Sequence, residues 1–341
     1  DAILTKILGY MFGDGCLYKS GTRYFASAYG KKEDLETMKG DLARINVNSS
    51  IYERKREHQI KTRYGEVNFE ATNYELHIHS KNFIIKLLKK GMPIGNKTRQ
   101  EVNLPEWIKY GNKITKRLFL AGFFGAELST PKTSSKTCFF CPTIDQNKIK
   151  KLKQNCRNFL IDIALILEEF GIKDYKISEM DDFINKYNEE TSRLRLLITS
   201  EKNMLNLWQT IGFEYNKKRQ NMANIASLYI LLKKRENKRR RELAERIKDY
   251  KNKGLSIKEV KAILKKDINE RFVERHYFEK AGQRISLDFV SFNDFKREKL
   301  FEIKMHGCIF DRIESIKNIK GTQEVYDFNV QDNHNFIANG F

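Results

Sequence analysis

The spacing of apolar residues changes repeatedly between that of helices and that of strands over the first two thirds of the chain. In the first series, the spacing is that of strands at residues 17–29, a helix at 33–45, a strand at 73–80 and a helix at 83–88. The second series has a strand at residues 137–144, a helix at 149–170, a strand at 194–199 and a helix at 204–211. Each series follows an apolar helical segment. Together they predict an α+β protein in which one αββαββα unit occurs twice.

A different pattern begins after residue 214, where a predicted helix leads into a run of basic residues. Its helical spacing is carried by four apolar residues, namely Ile225, Leu228, Leu231 and Leu232. Gly254 is a good residue to end a helix, and Ser256 with Glu259 predicts a capping box that opens the next one. A third helical stretch covers residues 272–280. These helices resemble a helix-turn-helix, although a three-helix bundle without groove contacts has the same pattern.

The charge of the chain favours a polyanionic partner. Among its 341 residues, 64 are Lys or Arg and 44 are Asp or Glu, so the net charge is +20. Residues 214–280 hold 21 basic against 10 acidic residues, which suits a helix along a nucleic acid backbone; the alternative is a solvated helix face. A hydrophobic fraction of 40% argues against global disorder.

Membrane and secretory classes are not favoured by the composition. No run of about 18 apolar residues is present, so we expect no membrane partner. Five cysteines without framework spacing fit a reducing compartment, and we expect a cytoplasmic protein.

The most informative feature is a short repeat at residues 7–15 and 120–128. Both copies have glycine in the third place, large apolar residues in the fourth and fifth, a small residue in the seventh and an acid in the eighth, Asp14 or Glu127. Small residues on one helix face allow two backbones to approach closely, which would bring the two acids together. Two close carboxylates suit magnesium or calcium, and a magnesium site beside DNA phosphates implies phosphodiester hydrolysis. The alternative is a pair of ordinary buried helices.

These residues resemble the LAGLIDADG homing endonucleases with two motifs, as found inside inteins, over residues 3–215. The resemblance implies that Asp14 and Glu127 bind magnesium, with manganese as an alternative, and cut both strands of a double-stranded DNA site. It also implies a monomer with internal pseudo-twofold symmetry, whose paired sheets lie in the major groove.

The same resemblance implies a basic residue after each copy. Lys97, between two proline-containing segments, matches the first position. The second falls at Lys217 or Lys218, and we favour Lys218; for Lys97 and Lys218 alike the alternative is a plain backbone or phosphate contact. Glu127 replaces the usual aspartate and Leu128 the usual glycine. A cleavage-defective DNA-binding relic or a maturase-like protein is therefore the alternative function.

Cations on the predicted strands and on the basic helix are the candidate DNA contacts, because Arg and Lys bind phosphates and Arg reads guanine. They are Arg54, Lys55, Arg56, Lys61, Arg63, Lys233, Lys234, Arg239, Arg240 and Arg241.

The last residues resemble the penultimate splicing block of archaeal inteins, which implies that the parent chain splices itself. The block would place Asp327 and His334 near the splice junctions. Residue 1 is Asp and no closing His-Asn follows, so we expect an excerpt of an intein, or an endonuclease with a relic of the splicing domain. The predicted regions are two LAGLIDADG subdomains at 1–110 and 111–216, a basic helical region at 217–284, and part of an all-β splicing (Hint) domain at 285–341.

Overall fold

The computed structural model describes residues 1–62, 65–265, 267–278 and 289–306. The chain divides into two compact units, Asp1–Glu298 and Lys299–Phe341. The boundaries predicted at residues 110, 216 and 284 remain predictions. In the described ranges, no helix has the length and apolar character that crossing a membrane requires.

The first copy has the predicted order of elements. They are α1 (Ala2–Asp14), β1 (Gly15–Ser20), β2 (Arg23–Gly30), α2 (Lys32–Arg44), β3 (Ser49–Thr62), β4 (Gly65–Ile78) and α3 (Lys81–Lys89). The strands form one antiparallel sheet in the order β1-β2-β4-β3. Because β3 and β4 have 14 residues each, they pair as a long hairpin.

The second copy is joined to the first by a connection that contains a short 3₁₀ turn (Lys97–Arg99) and one short helix. Its elements, with the connecting helix α4, are α4 (Glu106–Lys109), α5 (Lys113–Glu127), β5 (Thr143–Ile149), α6 (Lys153–Glu169), β6 (Tyr175–Glu179), β7 (Phe183–Ile184), β8 (Glu190–Ile198) and α7 (Glu201–Asn206), which continues as a π-turn (Leu207–Ile211). Strand β8 lies between β5 and β6 and also pairs with β7. The fold is thus a mixture of helices and antiparallel sheets.

The predicted αββαββα order is wrong for the second copy, which has one strand before its inner helix. The strand predicted at 137–144 begins only at Thr143 and continues to Ile149, so α6 begins later than predicted. Phe139 explains the difference, because its ring packs edge-on between three aromatic residues distant in sequence instead of on a strand. Its ring centroid lies 5.5 Å from Trp208, 6.0 Å from Tyr229 and 4.7 Å from Phe292.

Helices α1 and α5 cross at the centre of the fold with their backbones in contact. A methyl group on Gly9 would overlap the carbonyl oxygen of Phe119, and one on Gly122 would overlap that of Lys6. Each glycine therefore faces the other helix's backbone, as the small-residue pattern predicts. The rings of Phe12 and Phe119 pack edge-on beside this contact, at 5.3 Å between centroids.

The basic region is helical, as predicted. It contains α8 (Lys217–Asn252), α9 (Ile257–Leu264) and α10 (Glu270–Phe278). A further helix, α11 (Phe292–His306), lies in the segment from residue 285 onward that was predicted to be all-β, so that prediction is wrong for these residues. Gly254 turns the chain after α8 with φ of +84°, and the Ser256–Glu259 capping box begins α9. The end of α8 packs on α9 and α10 through one apolar core, which contains Leu243, Ala244, Ile247, Val260, Leu264, Phe272 and Val273. The three helices thus form a small bundle, and whether it reads bases stays a prediction.

We expect Gly122→Val to lower the free energy of unfolding by about 3 kcal/mol, because the added side chain would push α1 away from α5. Denaturant unfolding followed by circular dichroism would measure the change. The matched control is Gly40→Ala on α2, where no atom lies within 4 Å of the added methyl. Gly40→Ala should stabilise the protein by about 0.5–1 kcal/mol. Equal effects of the two changes would contradict close contact between α1 and α5.

Candidate active site

The two motif acids lie at the ends of the central helices, as the sequence predicts. Asp14 is the last residue of α1 and Glu127 the last of α5. A methyl group on Gly13 would lie 2.8 Å from Cγ of Glu127 and 3.2 Å from its Oε1. The carboxylate of Glu127 therefore packs against the last turn of the opposite helix, next to Asp14. Asp14 is exposed to solvent and Glu127 is half-buried.

Both carboxyl groups have raised pKa values. Burial of Glu127, reinforced by repulsion from Asp14, raises its pKa to about 7; Lys97, Arg219 and a hydrogen bond from Gln146 oppose the rise. Although Asp14 has an exposed side, partial burial also raises its pKa, against the attraction of Lys97 and Arg219. The helix ends thus hold an acid pair that a further cation would stabilise.

Lys97 lies against the last turn of α1. Its ammonium group donates to the carbonyl oxygens of Met11 at 3.1 Å and Phe12 at 2.8 Å, and also to that of Gly13. These carbonyls belong to the last turn of α1, where helix carbonyls lack intrahelical partners. Desolvation lowers the pKa of Lys97, while Glu127 and Asp14 raise it.

Arg219, and not Lys218, is the equivalent residue of the second copy. Its Nη1 donates to the carbonyl oxygens of Phe124 at 3.2 Å, Gly125 at 2.6 Å and Ala126 at 2.8 Å. Those residues have the fifth, sixth and seventh places of the motif, as Met11, Phe12 and Gly13 do in the first copy. Arg219 therefore covers the end of α5 as Lys97 covers that of α1.

Arg219, and not the favoured Lys218, lies over the end of α5 because of where α8 begins. Lys217 is the first helical residue, Lys218 is exposed, and Arg219 is directed toward α5. Asn216 caps the helix by accepting from the Arg219 amide at 3.1 Å, and donates to the Gly125 carbonyl at 2.9 Å. An asparagine directly before Lys-Lys-Arg is a helix N-cap signal that could have indicated this register.

The two carboxylates suit a magnesium ion that takes its other ligands from phosphate oxygens and water. Within the described ranges, no cluster of three or more His, Cys, Asp or Glu residues could bind a metal by itself. Magnesium in phosphoryl-transfer sites often has one or two carboxylate ligands together with phosphate oxygens and water. Asp14 and Glu127 fit that description. Asp14 also lines an open cleft of about 980 Å³ with Tyr10, Tyr29 and Asp34.

Two predicted DNA contacts are buried in the protein. Lys233 is 7% exposed, pairs with Glu201 and donates to the carbonyl of Thr137. Arg240 is 9% exposed and pairs with Glu236 at 2.8 Å. They lie seven residues apart on one face of α8, the face that packs on the protein, and are therefore not available to DNA.

The remaining predicted contacts differ in accessibility. Arg241 and Lys55 are exposed, and Lys234 is partly exposed. Arg54 pairs with Glu75 at 3.0 Å, and Arg239 pairs with Glu236 at 2.8 Å.

The side chains of five predicted residues lie outside what the structure describes. Arg63, Asp327 and His334 lie outside the described residues, and the side chains of Arg56 and Lys61 do as well.

A family comparison agrees with the second copy. Residues 115–212 match the family described as LAGLIDADG-like domain. Over this range the chain is similar to that family. The matched range begins inside α5, includes Glu127 and ends directly after the π-turn.

Several curated relatives contain a segment similar to this sequence as part of a longer chain. The chain is 34% identical over 342 residues to the tRNA-splicing ligase RtcB of Pyrococcus furiosus, covering 99% of this chain and 34% of that protein. It is 30% identical to the replication factor C small subunit of Methanocaldococcus jannaschii, covering 99% and 17%. It is 28% identical to subunit Rpo1N of the DNA-directed RNA polymerase of the same organism, covering 100% and 22%. The chain thus spans about a third or less of the length of these relatives.

One similar solved structure is the homing endonuclease I-WcaI bound to its DNA recognition sequence. The similarity covers 64% of this chain and 82% of that chain, with 13% identity and a TM-score of 0.37.

We expect Glu127 to make stability depend on pH. Its pKa is about 7 in the folded protein against 4.5 normally, so the folded state favours the protonated acid. Stability should therefore fall as pH rises from about 4.5 to 7 and then level off.

Glu127→Gln should remove this loss and stabilise the protein at pH 8 by about 1–2 kcal/mol, with little effect at pH 4.5. Urea unfolding at the two pH values, without divalent metal, measures it. The control is Glu169→Gln, a carboxylate at the far end of α6 that pairs with Lys116. Equal stability profiles of wild type and Glu127→Gln would contradict a desolvated acid at this position.

Proposed function

We propose that the chain is a site-specific DNA endonuclease that uses magnesium, or manganese, to cut both strands of its target. The observation that carries this proposal is the acid pair at two adjacent helix ends, each covered by its own cation. Double-strand cleavage needs two sets of groups at two phosphates, and the motif copies supply them on one chain. A monomer with internal pseudo-twofold symmetry is therefore sufficient for the reaction.

The chain's own residues divide the chemistry between them. Asp14 and Glu127 would hold magnesium, which would supply an activated water molecule and neutralise phosphate charge. Lys97 and Arg219 add positive charge beside the acids, where the phosphates gain negative charge in the transition state. Because the Lys97 ammonium already donates to three carbonyls, its contribution is its charge more than a new hydrogen bond.

The surfaces available for DNA are the long β3–β4 hairpin and the exposed cations of α8. Lys55 on the hairpin and Arg241 on α8 are exposed and suited to phosphate contacts. The net charge of +20 supports such binding at low salt. We propose that these contacts orient the target and that the protein acts in the cytoplasm.

We further propose that the chain comes from an intein. Its relatives are a ligase, a replication factor and an RNA polymerase subunit, and nearly all of this chain matches a minor part of each. A segment shared among proteins of unrelated function is what an inserted, mobile element would produce. The target would then be the host gene without the insertion, and the parent chain would splice itself, with Asp327 and His334 at the junctions.

The main alternative is a protein that binds DNA without cutting it. It is favoured by the second motif, where a partly protonated Glu127 with a pKa of about 7 replaces the usual aspartate. Such a protein would be a relic of an endonuclease or a maturase-like nucleic-acid-binding protein.

We expect supercoiled plasmid with the joined host sequence to become linear with magnesium and to stay intact with a chelator. An Asp14→Asn, Glu127→Gln double variant should cut at least about 100-fold more slowly, because both metal ligands are weakened. The control is Asp162→Asn on α6, whose carboxylate pairs with Lys109 at 2.6 Å. Undiminished cleavage by the double variant would overturn the mechanism. A gel shift with calcium but no cleavage by wild type would favour the binding-only alternative.

Arg219→Met should lower the single-turnover cleavage rate by about 10- to 100-fold while DNA affinity changes little, because a charge near the reacting phosphate is lost. Lys218→Met should stay within about twofold of wild type, since that side chain is directed to solvent. Quenched-flow cleavage and calcium-supported binding titrations distinguish the two. A larger loss from Lys218→Met than from Arg219→Met would restore the original assignment.

A further inference from the structure

Two buried charges of opposite sign hold the segments that carry the two cations. Lys148 on β5 and Asp34 on α2 are each 4% exposed. Lys148 belongs to the second copy but contacts the segment of Lys97, which follows the first. Asp34 belongs to the first copy but contacts the segment of Arg219, which follows the second. Each copy thus contacts the other's cation segment.

Lys148 holds both ends of the turn that presents Lys97. Its ammonium group donates to the carbonyl oxygen of Lys97 and, at 2.7 Å, to that of Gln100. The turn between these carbonyls is a single 3₁₀ turn (Lys97–Arg99) capped by Asn96. In the described part of the chain, Lys148 makes no ion pair, and desolvation lowers its pKa to about 8. A lysine buried without a carboxylate costs stability, which favours a role beyond packing.

Asp34 holds the first residue of α8, two positions before Arg219. Its Oδ1 accepts from the amide of Lys217 at 2.8 Å. A carboxylate at a helix N-terminus satisfies a free N–H group and interacts favourably with the helix dipole. The register of Arg219 over the carbonyls of α5 depends on where this first turn lies.

The residue before this turn is strained and also anchored on α2. Tyr215 has φ of +55°, a conformation that residues with a Cβ rarely adopt. Its hydroxyl donates to Asp41 at 2.9 Å, and Asp41 pairs with Lys6 of α1 at 2.7 Å. Two acids of α2 therefore hold the chain where α8 begins, and they support its geometry against the strain.

We infer that Lys148 and Asp34 are positioning residues that couple the two copies: Lys148 fixes Lys97 at the end of α1, and Asp34 fixes Arg219 at the end of α5. The inference rests on the proposed endonuclease function. Since each cation lies at a different helix end, each serves a different scissile phosphate. Loss of Lys148 or of Asp34 should therefore slow cleavage of one DNA strand more than cleavage of the other, whereas a general loss of stability slows cleavage of both.

The experiment measures nicking of each strand under single turnover, on a duplex target with a different fluorophore on each 5′ end. Lys148→Met should slow one strand about tenfold more than the other, because small displacements of a catalytic group have large effects on rate. Asp34→Ala should show the opposite bias. Calcium-supported DNA affinity should change less than threefold for both. Asp34→Asn, which keeps an acceptor for the Lys217 amide, should restore most of the balance.

The matched control is Lys116→Met. Lys116 is another buried lysine, 7% exposed, in the first half of α5, and it pairs with Glu169 of α6. It should lower the melting temperature without strand bias. Equal slowing of both strands by Lys148→Met and Asp34→Ala, or the same bias in both, would overturn the inference.

Three further outcomes separate a failure of the inference from a failure of the proposed function. If Lys148→Met does not fold, Lys148→Gln, whose shorter side chain cannot reach both carbonyls, should show the same bias in weaker form; no bias would overturn the inference. If wild type cuts neither strand, the proposed function itself fails, and the inference fails with it. Balanced cutting by wild type followed by unbiased variants refutes the inference alone.

Discussion

The contact between α1 and α5 is the constraint on which the rest of the structure depends. Gly9 and Gly122 each face the backbone of the opposite helix, so any larger residue at either position would separate the pair. Close helices bring their C-terminal ends together, and each ends in an acid, Asp14 or Glu127. The chemistry of the site is therefore a consequence of packing: two carboxylates lie close because two glycines permit it.

The electrostatics of the helix ends explains the cations around them. The ends of α1 and α5 combine unpaired carbonyl groups, the negative end of each helix dipole and a carboxylate. Lys97 and Arg219 each donate to three carbonyl oxygens, and these partly buried cations offset the negative charge of the helix ends. Burial, together with repulsion from Asp14, still raises the pKa of Glu127, so a further cation would stabilise the acid pair. The same arrangement that destabilises the folded protein is the one that suits metal and phosphate.

Helix α8 has three different tasks along its length. Its first turn supplies Arg219, its middle packs on the protein through Lys233 and Arg240, and its end joins α9 and α10 in a bundle. The basic run is thus partly structural: two of its cations neutralise Glu201 and Glu236, and only those on the outer face, such as Arg241, face solvent. Charge density alone does not distinguish a binding face from a packed one, because both use Lys and Arg.

The sequence by itself determined what depends on short-range spacing. The element order of the first copy, the small-residue faces of the motif helices and the Ser256–Glu259 capping box all follow from residues a few places apart, whereas Lys97 was assigned from the family resemblance. Tertiary structure decided the rest. Phe139 lies in an aromatic cluster with Trp208 and Phe292 instead of on the predicted strand. Lys233 and Arg240 lie on a packed face of α8, where their contacts with Glu201 and Phe272 join residues distant in sequence. Arg219, and not Lys218, reaches the carbonyl groups at the end of α5, and Asp34 of the first copy accepts from the first amide of α8. Contacts between residues far apart in the chain have no periodicity in the sequence, so only the folded chain shows them.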